Sequence, residues 1–411
     1  MNYKKHILVI SQYFYPEQFR INDMCCEWVK RGYKVTVLTG IPNYPQGKFY
    51  EGYGIAKQRK ETWNGIDIIR IPLIPRGHSS IGMVLNYFSF PISGWFWKLK
   101  AKIKPDYIFM FETSPMTQCK IGVWYKKKVN VPLYLYAQDL WPENVEVITG
   151  IHNKAIINPI QKMVDKIYNA CDQIFVTSPS FVESVCDRGI SRDKVHYWPQ
   201  YAEEFYQPLE RSAVSEIPEN GKFKIIFTGN IGYAQGLDIL PKAAKLLENN
   251  GYRDKVQFVI VGDGRYREQF EKDIADVREM FLMIPRQPAK RIPELLAACD
   301  AAFLSFQNNG LWKKTIPAKL QSYMACGMPV IASAEGESER VIGEAKCGLC
   351  SGIGDEVALA KNIEQMISAD IKMMRRNSRT YFEKHFDKKM LMDEFDDYLC
   401  KDNKHILELE Q

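Results

Sequence analysis

Short apolar runs bounded by turn residues recur along this chain, each separated from the next by a helix-length stretch, and the pattern is laid down twice. In the first half HILVIS (6–11), KVTVLTG, DIIRIPL, DYIFMFE, PLYLYAQD and DQIFVTS read as strands. A helix from Asp23 to Arg31, ended by Gly32, separates the first two. Strands that are apolar throughout are buried on both faces, which is the mark of a parallel sheet covered by crossover helices. Residues 196–222 then lose periodicity and gather proline and acid, and from Phe223 the alternation restarts with KIIFTG, VQFVIVG, FLMI, AAFLS and PVIAS. The predicted fold is therefore α/β, with two doubly wound parallel-sheet, Rossmann-like domains over 1–200 and 223–386. A linker over 201–222 joins them, a ligand cleft is expected between them, and a final amphipathic helix over 387–411 packs back on the first domain. A length of 411 residues suits two such domains.

Ten cysteines in a chain of this length, with Cys25 and Cys26 adjacent inside a predicted helix, read as reduced thiols of a cytoplasmic protein. Cys347-Gly-Leu-Cys350 has no second pair to complete a metal site. The opening MNYKKHILVISQ reads as a first strand rather than a leader, and no run of 18 apolar residues suggests a membrane span. Charge is unevenly distributed: residues 1–200 carry 26 Lys and Arg against 16 Asp and Glu, the remainder 29 against 33. A basic first half calls for an anionic partner. The segment Ile81–Lys104 holds six aromatics and then lysines at 98, 100, 102 and 104. Rings at headgroup depth and lysines on anionic lipid suit a peripheral position on the inner face of the cell membrane rather than a nucleic acid partner. Lys120 and Lys126-Lys127-Lys128 add to that surface, whereas Pro91 argues against one continuous helix; a core helix with a solvated end is the competing reading.

The stretch TIPAKLQSYMACGMPVIAS (315–333) reads as helix then strand, with Pro317 at the first helical position and Gly327 after the last. Lys319 lies in the first turn and Lys313 and Lys314 just before it, where cations oppose the helix dipole. A diphosphate at the helix start would reverse that penalty, meeting free N–H groups and an ammonium together. Gly229, Gly232 and Gly236 follow the first strand of the second half, and Gly262, Asp263 and Gly264 follow the next, letting backbone approach a ligand.

The run PAKLQSYMACGMPVIA, with GNIGYAQGLDIL, VGDG and LLAACDAAFLS, resembles the donor domain of glycosyltransferase family 4, of GT-B architecture. In the first half QYFYPEQFRI, TGIPNYPQGKFYEGYG, ETSPM, QDLWPEN and VTSPSF resemble bacterial surface-polysaccharide members, and the PxKxQSY helix followed by Gly336-Glu337 resembles the branch that includes N-acetylfucosaminyltransferases. The resemblance implies a metal-independent, retaining transferase that needs no cofactor. It would move an N-acetylated, 6-deoxy sugar from a UDP-sugar to a polyprenyl-diphosphate-linked saccharide in capsule or O-antigen synthesis.

Carried onto this sequence, Lys319 balances the departing diphosphate, with Leu320 and Ser322 beside it and Arg286 next to the base. The two glutamates of many relatives are Lys314 and Ser322 here, which leaves Glu337 as the candidate for the ribose. The usual Arg and Lys of the first glycine loop are Asn230 and Gln235. On the acceptor side Asp139, behind Gln138 where relatives have histidine, is the catalytic candidate together with Arg20; as a plain structural group it would cap the next helix. Glu17, Asn43, Tyr44 and Glu112 are the further acceptor-side candidates. Two other functions are weighed. An NAD(P)-dependent sugar epimerase or dehydrogenase is suggested by Tyr53-Gly-Ile-Ala-Lys57, though the first strand lacks the glycine fingerprint. A non-enzymatic membrane-surface protein would use the basic segment alone.

Overall fold

The computed structural model describes residues 3–77 and 80–409. The chain divides after Tyr197 into two α/β units, each with its own sheet. In the first, β1 (His6–Ile10), α1 (Arg20–Lys30), β2 (Lys34–Gly40), β3 (Lys60–Trp63), β4 (Ile66–Ile71), α2 (Ser80–Lys100) and β5 (Tyr107–Glu112) come first. Then follow α3 (Lys120–Val129), β6 (Leu133–Ala137), α4 (Glu143–Thr149), α5 (Lys154–Ala170), β7 (Gln173–Val176), α6 (Pro179–Cys186) and β8 (Val195–Tyr197). The sheet order is β3-β4-β2-β1-β5-β6-β7-β8, parallel except for β3 against β4. That exception is a hairpin turned by Asn64-Gly65, both at positive φ (49° and 79°), as a two-residue hairpin turn requires. The chain direction across the sheet reverses between β1 and β5, so the loops after these two strands flank a topological switch point, where such sheets bind ligands.

The second unit contains β9 (Phe223–Asn230), α7 (Ile239–Asn249), β10 (Val256–Asp263), α8 (Arg267–Asp273), β11 (Phe281–Ile284), α9 (Ile292–Ala297), β12 (Ala301–Ser305) and α10 (Gly310–Lys313). It continues with α11 (Ala318–Ala325), β13 (Val330–Ser333), α12 (Glu337–Ala345), β14 (Gly348–Ser351), α13 (Glu356–Ile367), α14 (Ile371–His385) and α15 (Lys388–Leu409). All pairs are parallel in the order β11-β10-β9-β12-β13-β14, and the switch point lies between β9 and β12. Successive strand residues are buried on opposite faces: Ile225, Phe227, Phe258 and Ile260 in one cluster with Leu240 and Ile363, Ile226, Val259 and Val261 in the other with Leu295 and Tyr323.

Two boundaries differ from the sequence reading. The stretch expected as a free linker belongs to the second unit, because Val214 and Ile217 bridge to each other and are buried in the same cluster as Ile226 and Val259. Trp198 donates Nε1–H to the Leu391 carbonyl on α15 at 2.9 Å, and Lys388 pairs with Glu204 at 3.1 Å, so the described contacts of this helix include residues of its own unit. Residues 410 and 411 of the predicted final helix lie outside the described residues. The second difference is α2, which continues through Pro91. Proline removes the N–H that would bond the carbonyl four residues earlier, which is Tyr87. The Thr117 hydroxyl donates to that carbonyl at 2.5 Å and takes the missing partner's place.

Candidate functional site

At the C-terminal edge of the second sheet, Gly229 is in register with Gly262 and Asn230 with Asp263. Gly262 has φ 151°, and a Cβ there would lie 1.9 Å from the Gly229 carbonyl oxygen, so only glycine lets the two strand ends approach this closely. Asn230 and Asp263 are exposed, and Asp263 Oδ1 accepts the Gly264 N–H at 2.8 Å. Gly232 leads into the turn that carries Gln235. The start of α11 meets this edge. Pro317 is extended (ψ 144°) and is the residue before the helix rather than its first; among the described residues no side-chain cap bonds the amides of the first turn.

Lys319 reaches back from that turn. Its ammonium donates to Gln235 Oε1, lies 4.0 Å from the centroid of the Phe227 ring, and would be 3.5 Å from a Cβ on Gly229. No carboxylate pairs with it among the described residues. Burial lowers its pKa to about 7. The other two lysines do not share this position. Lys313 is in the last turn of α10, where a cation suits the helix dipole, and pairs with Glu335 at 2.5 Å; Lys314 is exposed at that helix's end. One turn beyond Lys319, the Tyr323 hydroxyl accepts the Thr228 N–H at 3.0 Å, tying α11 to the end of β9. This tie holds the lysine over the glycine edge, and the apolar spacing that marks Tyr323 as core conceals its polar end.

The remaining donor-side candidates divide. Leu320 is fully buried in the core and offers a ligand nothing but backbone. Ser322 turns its hydroxyl to the Ala318 carbonyl of its own helix at 3.2 Å. Glu337 opens α12 but accepts Arg340 Nε–H and Nη2–H at 3.0 and 2.8 Å, so its carboxylate is already engaged. Arg286 is exposed two residues beyond β11, and no ion pair engages it among the described residues.

In the first unit the loops after β1, β2 and β5 are laced together, and three of the acceptor-side candidates are taken up in that lacing or buried beneath it. Glu17 is buried; Oε1 accepts the N–H groups of Asn43 (2.8 Å) and Tyr44 (2.6 Å), and Oε2 that of Phe14 (3.3 Å). Its carboxylate is engaged in fixing two loops, and burial raises its pKa to about 7. Asn43 is fully buried, donating to the Ile41 carbonyl and accepting the Arg76 N–H, both at 2.9 Å. Glu112 is fully buried beneath Asp139, whose N–H it accepts at 3.3 Å, so it cannot touch an acceptor. Burial, then the charge of Asp139, pushes its pKa well up.

Asp139 keeps partial exposure. Its Oδ2 accepts both the N–H (2.9 Å) and the hydroxyl (2.7 Å) of Ser114, which itself accepts from Trp141 Nε1 and Asn144 Nδ2. It does not cap α4, whose preceding residue is Pro142. Burial raises its pKa, against the pull of Ser114 and of the Arg76 charge. Tyr44 is 36% exposed, tilted against Tyr13 and Phe19 at 5.5 Å. Arg20 opens α1, partly buried, with its charge felt at Tyr136. Sequence reasoning missed Ser114 and Arg76, which lie in loops without periodicity. The Tyr53 to Lys57 motif is not arranged for hydride chemistry: Tyr53 faces Glu61 at 3.5 Å and the Arg70 guanidinium at 4.9 Å.

Residues 19–200 match the family model described as Glycosyltransferase Family 4, and residues 210–384 the one described as Glycosyl transferases group 1. The chain is 25% identical over 414 residues to the putative colanic acid biosynthesis glycosyl transferase WcaI of Escherichia coli K12, covering 95% of this chain and 98% of that protein. It is 26% identical over 333 residues to the probable glycosyltransferase WbjE of Pseudomonas aeruginosa, covering 79% and 80%. Among solved structures, Anabaena HepE in complex with UDP superposes with a TM-score of 0.68 at 14% identity, covering 96% of this chain and 99% of that one.

Proposed function

We propose that this chain, which shares the GT-B fold, is a glycosyltransferase of the family 4 type that transfers an N-acetylated, 6-deoxy sugar from a UDP-sugar to a polyprenyl-diphosphate-linked saccharide. The observation that carries the donor half is Lys319, an ammonium without a carboxylate partner, over a glycine edge and beside uncapped helix amides. In the reaction the bond between the anomeric carbon and the diphosphate oxygen breaks with its electron pair going to UDP. An acceptor hydroxyl forms the new bond to the anomeric carbon, and its proton passes to the departing UDP oxygen. Lys319 and the first-turn amides of α11 meet the charge that grows on the leaving diphosphate, so the site works without a metal. Asp139, held by Ser114, orients the acceptor hydroxyl. Retention of configuration is part of this reading and follows the family resemblance.

A lipid-linked acceptor agrees with α2. Val84, Leu85, Phe88, Ile92, Trp95, Phe96 and Leu99 recur at helical spacing and are 42–63% exposed, with Lys98 and Lys100 at the end of the stripe. Such a face suits a peripheral position on anionic lipid at the cytoplasmic side of the membrane. UDP-bound HepE and the polysaccharide assignment of WcaI favour the donor and the pathway class. A thermal-shift panel of UDP-, GDP- and dTDP-sugars tests the donor class, with stabilisation expected from the UDP series alone. Lys319→Ala should leave folding intact and lower turnover about a hundredfold to a thousandfold, the usual loss for one group stabilising leaving charge. Stabilisation by the dTDP or GDP series instead, or an unchanged turnover, defeats the reading.

A further inference from the structure

Between β4 and α2 the chain carries Arg76, a partly buried cation. Its backbone N–H is held by Asn43, and its guanidinium carbon lies 5.6 Å from the Tyr44 ring centroid and 5.9 Å from that of Tyr87. Tyr13 is near enough to act on its charge, and Nη2 touches Met83 Sδ at 3.9 Å. None of these neighbours is an anion, and no carboxylate forms an ion pair with Arg76 among the described residues. Arg70, on β4, shows the contrast, for its Nη2 pairs with Glu61. The acidic group that feels Arg76 is Asp139.

A guanidinium drawn partly out of water, flanked by rings and left without an ion-pair partner, is costly unless a ligand brings one. Its planar fork matches the oxygens of a phosphoryl group, and the Tyr44 and Tyr87 rings flank it. Tyr87 belongs to α2, in the turn that also carries Val84, Leu85 and Phe88 of the exposed apolar stripe, so a phosphoryl group at Arg76 would lie within one helical turn of a face suited to a hydrocarbon chain.

We propose that Arg76, flanked by Tyr44 and Tyr87, binds a phosphoryl group of the acceptor, seating a prenyl diphosphate by its head while its tail follows α2. This rests on the reading that the acceptor is diphosphate-linked. The test is calorimetric titration of the full chain with geranyl diphosphate and, separately, inorganic pyrophosphate, each with and without saturating UDP. UDP fills the donor site, so binding that survives it reports the first unit. With UDP present, the wild type binds geranyl diphosphate, and Arg76→Gln binds it about tenfold or more weakly with unchanged affinity for UDP. Arg76→Lys keeps the charge without the planar fork and binds several-fold more weakly, which covers the case in which the glutamine variant does not fold. Equal binding by wild type and either folded variant overturns the proposal, as does a wild type that binds no geranyl diphosphate. Pyrophosphate binding with the same dependence on Arg76 assigns recognition to the phosphoryl group alone; geranyl diphosphate binding without it assigns part to the tail. A chain that ignores UDP defeats the donor reading instead, and the Arg76 comparison without UDP still decides this one.

Discussion

At pH 7 an amine whose pKa has been brought to about 7 by burial is about half protonated, and Lys319 is such an amine. A bound diphosphate favours the charged form and raises that pKa, so binding above pH 7 draws a proton from solvent. The sign follows: UDP affinity is greatest where the lysine is already charged and weakens as pH rises through 7 and beyond, by up to about tenfold per unit. Calorimetry at pH 8 in two buffers of different ionisation enthalpy should show uptake approaching one proton, absent in Lys319→Ala; equal uptake by both proteins would assign the proton elsewhere. Lys319 was legible in the sequence because a cation at a helix start contradicts the dipole and asks for a reason. Its setting was less so. Tyr323 reads as core, and only the fold brings its hydroxyl to Thr228. Glu17 and Asn43 read as acceptor-side residues facing the cleft, but backbone N–H groups from distant loops had to be paired, and these side chains pair them.

Helix α2 combines two features that the sequence presented as opposed, a proline and continuity. Its apolar and basic content was plain; its unbroken course was not, because the partner for the Tyr87 carbonyl comes from Thr117, thirty residues away. Thr117→Val should leave that carbonyl without a partner and cost about 1–3 kcal/mol in urea unfolding. In a Pro91→Ala background the N–H of residue 91 is restored, so the same substitution should cost much less. Equal penalties in both backgrounds would show that Thr117 acts by some other contact. Helix α11 was the opposite case, since Leu320, Tyr323 and Met324 repeat on one face and all three are fully buried. Only its first residue was misplaced by one position, because Pro317 is extended.

Across the whole molecule, the double alternation of strand and helix was enough to give two parallel sheets, since continuous apolar strands leave few other arrangements. What it did not show were β3, β8 and β14, edge strands whose sequences KETW, VHY and GLCS lack the continuous apolar run of a doubly covered strand. The boundary was also off, because Val214 and Ile217 are apolar residues hidden among prolines and acids. The basic first half and the α2 stripe together predict binding to anionic vesicles that falls as salt rises from about 0.1 to 1 M, where the screening length shrinks from about 10 to 3 Å. Replacing Phe88, Phe96 and Leu99 by serine should abolish sedimentation with vesicles even at low salt, without altering UDP affinity; retention by the triple variant would remove α2 from the membrane reading. The short strands at the sheet margins carry a last consequence. Both sheets end on strands of only three or four residues, and β3 bears Lys60 and Glu61. Neighbouring copies thus find almost no ladder to extend, so crowding such molecules on a surface need not template fibrils.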